Sequence, residues 1–409
     1  MTILFMKLLI ALPTEHPEFT SIDSIIDGTF PSSGTTGSII RVAGILSDSG
    51  YSICLSSAFS CHSSRFPCVT HDSVDSNEYD QLIVHQSHWN GSELSFGNQA
   101  LTKTSLWFHN ATVWSFLHSF WQKGGKKAIF PSSDFANIYR AIPQWPEKAV
   151  VLYNSYCPVF QPSDDIPEVR LLFVGAVTPT KGFREVMKLW SYLAQNNVKL
   201  QLAIAGSIGI HKSSSVATGS MGIGELEFET NEIQPWLKNL SESYQPEFLG
   251  ALSPIELRRE ISKSWAVLVN PSWQAAETFC VGAVDAQSCD RTVFSIALGG
   301  LKETVYQGEF QSLSKRQSIQ DLGDLIINGL ANPDFIANNA KLAGEYVRDK
   351  FCSEKIKENW INFLNGKIIE STPNYDWDNS LDFIYDLMRW TSTGMSFKTI
   401  YGKLRNRPV

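Results

Sequence analysis

Short apolar runs alternate with helix-like segments along most of the chain, and the alternation starts twice. Strand-like runs fall first at Lys7–Leu12, Tyr51–Leu55, Gln81–His85, Ser105–Phe108, Lys127–Phe130 and Val150–Tyr153. Residues 158–169, PVFQPSDDIPEV, are rich in Pro and Asp and read as a linker. The pattern then resumes with Arg170–Val174, Leu200–Ala205, Glu247–Gly250, Ala266–Asn270 and Thr292–Ala297, with Phe183–Asn196 and Ser253–Ser264 as helices between them. Strands separated by helices join through crossovers rather than hairpins, which makes a parallel sheet covered on both faces. The pattern predicts two doubly wound α/β domains, at residues 1–160 and 169–365, and 409 residues suffice for both. Further helical patterns at Asp321–Leu330, Asp334–Phe351, Ser353–Leu364 and Leu381–Arg389 give the second domain its last helices and predict a tail, 366–409, packed on the first.

The formal net charge of −7 argues against a general binder of nucleic-acid phosphate. The seven cysteines are odd in number and show no close-paired spacing, so reduced thiols in a cytoplasmic protein are expected. MTILFMKLLIALP is too short an apolar run to span a bilayer and reads as a buried first strand. Trp114, Phe116, Leu117, Phe120 and Trp121, followed by Lys123, Lys126 and Lys127, permit a peripheral contact with the inner face of a membrane, although helical core packing is the plainer reading.

Residues 264–303 carry most of the functional signal. They read as strand, Pro271-Ser272 stop, Glu277, a small-residue helix over Phe279–Ser288, a second strand, and Gly299-Gly300. A helix that opens at the carboxyl end of a parallel strand offers unpaired N–H groups to an anion. Glu277 and Asp285 lie eight residues apart, so on one continuous helix they would share a side over about 12 Å. Solvated surface acids are the alternative.

The stretch resembles the signature of glycosyltransferase family 4, on Pro271-Ser272, Glu277, Phe279, Asp285 and Gly299-Gly300 in order. Cys280 stands where that family has Gly, and Asp285 where it has Glu. Phe173–Gly182 resembles the family's phosphate loop with Gly175 and Lys181 in place, but Ala176 replaces its Arg; Lys212 or Arg184 could substitute. Gly34–Gly37 resembles its N-domain glycine loop, Phe130–Ser133 and Tyr153-Asn154 the end of its first domain, and Leu106–Asn110 its edge histidine, with His85 and His88 as competitors for His109.

The resemblance implies the GT-B fold, two Rossmann-like domains whose last helices cross back to the first. It implies a retaining transferase that uses a nucleotide-diphosphate sugar, no other cofactor and no obligatory metal. The acceptor would be a glycan, a lipid-linked group or another hydroxyl. Lys181, Glu277 and His109 would carry the chemistry, and Gly37, Gly175, Phe279, Cys280, Val281 and Asp285 would complete the donor site. Asp376-Trp377-Asp378 could hold a cation, but its place in the tail reads as an ordinary acidic cluster. A non-catalytic nucleotide-sugar-binding module and a sugar-nucleotide epimerase or hydrolase remain alternatives.

Overall fold

The structure, a computed structural model, describes residues 6–142, 144–163, 165–208, 217–316 and 318–367. The expected tail 366–409, including Asp376, Asp378 and the helix at Leu381–Arg389, lies almost wholly outside the described residues, as does Lys212.

Seven parallel strands form the first sheet: β1 (Lys7–Ala11), β2 (Ser52–Ser57), β3 (Cys68–Thr70), β4 (Gln81–His85), β5 (Thr104–Trp107), β6 (Lys127–Phe130) and β7 (Ala149–Val151), in the order β3-β2-β1-β4-β5-β6-β7. Six more form the second: β8 (Glu168–Val174), β9 (Gln201–Ala205), β10 (Glu247–Gly250), β11 (Ser264–Val269), β12 (Thr292–Ile296) and β13 (Leu313–Ser314), in the order β10-β9-β8-β11-β12-β13. Each order reverses once, between β1 and β4 and between β8 and β11, which opens a crevice at the strands' carboxyl ends. The two sheets with their flanking helices make the GT-B fold.

The apolar runs have a simple cause. Leu9 and Ala11 of β1 enter one core cluster while Leu8 and Ile10 enter another, on the opposite face. Leu171 and Phe173 likewise part from Leu172 in β8. A strand buried on both faces has no polar side to alternate with.

The aromatic helix Trp114–Gln122 turns Leu117, Phe120 and Trp121 into the first domain's core, with Trp114 and Phe116 partly buried beside them. No described helix is long and apolar enough to cross a membrane. The described cysteines are all free thiols.

The helix that returns to the first domain is Ser353–Leu364. Its Ile356, Trp360 and Leu364 join the core against the helix Gly34–Asp48, and the Trp360 ring lies 4.8 Å from that of Trp107. A second seam ties the domains. Glu303 accepts hydrogen bonds from the Ser133 and Asp134 amides (2.9 and 2.5 Å) and from the Tyr153 hydroxyl (3.0 Å). It thereby caps a helix of the other domain with a carboxylate, the favourable sign for a helix N-terminus.

Candidate active site

A cleft of about 260 Å³ lies between the two sheets, lined from the first domain by Gly34, Thr35, His109 and Asn154 and from the second by Gly175, Lys181, Glu277 and the start of the helix Val281–Ser288. It sits where β8 and β11 end, at the reversal of strand order.

Glu277 is the hub. Its Oε1 accepts from Lys181 Nζ at 2.8 Å and from Asn270 Nδ2 at 2.7 Å, and its side chain is 11 % exposed. Burial pulls the Lys181 pKa down, but the Glu277 carboxylate more than offsets this, so the ammonium is held charged. Asn270 also donates to Ala275 O and accepts from the Ser272 amide, so it fixes both the loop and the acid.

Three glycines bring these segments together. Gly182, at φ +75°, leaves no room for a Cβ, which would stand 2.8 Å from both Pro271 Cδ and the Ser272 amide. Gly300 donates its amide to Glu277 O at 2.7 Å. At Gly299 (φ +62°) a Cβ would stand 2.4 Å from that same oxygen. The Gly-Gly pair therefore pins the backbone of Glu277 by close approach.

Cys280 occupies the left-handed region at φ +72° and forms the N-cap of Val281–Ser288. This is a conformation Gly adopts freely and Cys adopts under strain. Burial pushes the Cys280 thiol well up, and so it stays protonated. Phe279 is fully buried against Tyr153 and Phe351, so it meets the cleft edge from the core side.

His109 follows β5 and lines the cleft. Its amide donates to Gln86 Oε1 at 2.7 Å, and its carbonyl accepts from Thr278 Oγ1 at 3.1 Å, which joins the domains beside the hub. Burial lowers its pKa to about 3, so the ring is neutral, and its Nε2 has no protein partner.

Several expectations need correction. Gly34–Gly37 is not a loop: Ser33 Oγ accepts the Thr36 amide, and the helix starts at Gly34. Gly37 is buried one turn inside, with Ser32 Oγ and Arg41 Nη1 where a Cβ would point, and does not line the cleft. Gly34 and Thr35 do. Asp285 is also absent from the cleft wall. The helix begins only at Val281, after the left-handed Cys280, so helical spacing does not apply from Glu277 to Asp285. Arg184 does not replace the missing Arg; it is paired with Glu232 at the surface. Asn270, Gln86 and Glu303 were not anticipated, since each acts through a partner distant in sequence or through a loop of no fixed pattern.

Asp285 is 7 % exposed, and its Oδ1 has no partner. Burial raises its pKa to about 7, against the opposing pull of Arg41 and a hydrogen bond from the Cys157 backbone. An acid whose folded pKa lies above its unfolded value binds more protons when folded, so stability falls as pH rises from about 4 through about 7. Asp285→Asn should therefore gain melting temperature relative to the parent as pH rises. Thermal unfolding of both chains at pH 5 and pH 8 checks this, and a difference that does not grow toward pH 8 contradicts it.

The geometry can be set beside known proteins. Residues 162–349 match the family model described as Glycosyl transferases group 1. The fold resembles sucrose-phosphate synthase from Thermosynechococcus elongatus (TM-score 0.65, 15 % identity, 88 % of this chain and 98 % of that one). It also resembles HepE from Anabaena, solved in complex with UDP (0.63, 15 %, 88 % and 100 %), and WaaG, a glycosyltransferase involved in lipopolysaccharide biosynthesis (0.60, 12 %, 88 % and 100 %). No curated protein matches the chain by sequence. The fold is thus that of the GT-B proteins, and the stretch that matches the group 1 glycosyltransferase model is its second domain.

Proposed function

We propose that the chain is a retaining glycosyltransferase that moves a sugar from a nucleotide-diphosphate donor to a hydroxyl acceptor without an obligatory metal. The observation that supports this reading best is the Lys181–Glu277–Asn270 hub beside the amides of Val281 and Gly282. Lys181 would neutralise charge on the departing diphosphate, with the helix N-terminus sharing the load. Glu277 would hold sugar hydroxyls, and neutral His109 would form the first-domain wall beside the sugar or the acceptor. Gly175 and Cys280 border the same space. That HepE has been solved with UDP-glucose makes a uridine donor the first to try. Domain closure would exclude water and limit hydrolysis.

Ala176 lines the cleft where the resemblance calls for Arg, which favours a binding module as the second reading. Donor binding without turnover would establish that reading.

A screen of nucleotide sugars by thermal shift identifies the donor, since a ligand of the folded state raises stability. Turnover of that donor should persist in excess chelator, because Lys181 and the helix N-terminus would meet the charge of the leaving diphosphate. Complete loss, restored by a divalent ion, would reverse the metal-independent mechanism. Retention is checked by the anomeric signal of the first-formed product in NMR.

A further inference from the structure

A second pocket of about 320 Å³ opens at the carboxyl ends of β1 and β4, the first domain's own reversal of strand order. Thr35 and Asn110 line both it and the donor cleft. The rings of His85 and His109 stack at 5.9 Å and form the partition, His85 lining the second pocket and His109 the cleft.

His85 is 5 % exposed. Its Nδ1 accepts the Ser87 amide at 3.2 Å, so in the neutral ring the proton sits on Nε2, which has no protein partner. Burial, then the nearby His109 and His88, hold the ring neutral. His16, also buried and lining this pocket, is neutral for the same first reason. Its Nε2 accepts the Ala58 amide at 3.2 Å and its Nδ1 donates to Pro17 O at 2.8 Å. Glu15 is then the one acidic side chain lining the pocket, and no described Lys or Arg joins it.

We infer that this pocket seats a neutral, hydroxyl-rich acceptor, a saccharide unit bearing no phosphate where it is bound. The inference rests on the glycosyltransferase reading above. Phosphate recognition uses Arg, Lys or a helix N-terminus free of opposing charge, whereas the start of the helix Gly34–Asp48 shares this pocket with the acidic side chain of Glu15. A lipid chain needs a continuous apolar wall, but Ser33, Ser87, Thr35 and Asn110 supply hydroxyls and an amide. Sugar hydroxyls both donate and accept; Glu15 takes their protons in hydrogen bonds, and the Asn110 side-chain amide gives one. Phe59, 38 % exposed with its ring centroid 5.5 Å from that of His16, offers an apolar platform beside the pocket for a sugar face. The volume is near the lower bound of about 300 Å³ for small-molecule sites, which suits one or two sugar rings better than a long glycan.

The test uses the full chain with the nucleotide sugar that gives the largest thermal shift. Acceptors are methyl glucosides and maltose, against glucose 6-phosphate and a short polyprenyl-diphosphate sugar. The neutral group should be preferred by about 10-fold or more in kcat/KM, as a charge mismatch at Glu15 would impose. Glu15→Gln should raise the acceptor KM about 5- to 10-fold, the loss of one charge-assisted hydrogen bond, and move the donor KM less than about twofold. Glu15→Lys should shift preference toward glucose 6-phosphate. Preference of the parent chain for either phosphorylated acceptor, or an unchanged acceptor KM in Glu15→Gln, overturns the inference. So does failure of every acceptor together with no saturation transfer to maltose in the presence of UDP. Donor binding separates the two claims: no shift with any nucleotide sugar defeats the proposed function itself, while a bound donor with a phosphorylated acceptor defeats the acceptor class alone.

Discussion

Lys181→Ala should lower turnover by about 10²-fold or more, the usual loss when one group that stabilises developing charge is removed. Lys181 is the one cation among the described residues lining the cleft, because Ala176 stands in the second position of the loop and Arg184 is engaged with Glu232. Its ammonium is held charged by Glu277, so nothing about its protonation limits the role at neutral pH. The expected signature is a fall in kcat with a modest change in donor KM, since the charge on the leaving diphosphate grows as the bond breaks. Glu277 keeps Asn270 as a donor in the variant, so the fold should survive. Wild-type turnover in folded Lys181→Ala would remove this residue from the mechanism.

Glu277→Gln is expected to cost about as much, on the order of 10² in kcat. The substitution keeps size and one acceptor oxygen but removes the charge that fixes Lys181 and that, on the proposed reading, would meet the sugar hydroxyls. The loop itself should hold, because Gly300 bonds the Glu277 carbonyl rather than its side chain. Steady-state kinetics on the purified variant decide the matter. An unchanged kcat with a raised donor KM would recast Glu277 as a ground-state binding residue.

The fold was legible because its strands are buried on both faces, so they read as apolar runs such as Lys7–Leu12 and Thr292–Ala297. β3 and β13 escaped notice, being edge strands of three and two residues with no period to detect. At the site, Lys181 and Glu277 were legible through motif order, and the structure brings them within 2.8 Å across 96 positions of sequence. Asn270 was hidden as the last letter of a strand. Glu303 was hidden because its partners Ser133 and Asp134 lie some 170 positions away, and nothing local marks such a contact. The pairing of Glu277 with Asp285 on one helix face failed for a local reason. A left-handed residue at Cys280 breaks the screw axis that the spacing assumed.

Among the described residues the chain passes between its domains twice, once through the segment after β7 and once on entering Ser353–Leu364. Pro158, Val159, Ser353 and Glu354, one pair from each passage, line a single cavity, so both passages run side by side. The Tyr153 and Phe351 rings, 5.2 Å apart, brace them. A plate held by one pin can swivel in any direction; a plate held by two neighbouring pins can only swing. Two neighbouring crossings of this kind are the arrangement of a hinge, and any opening of the cleft would also have to break the Glu303 contacts with Ser133, Asp134 and Tyr153.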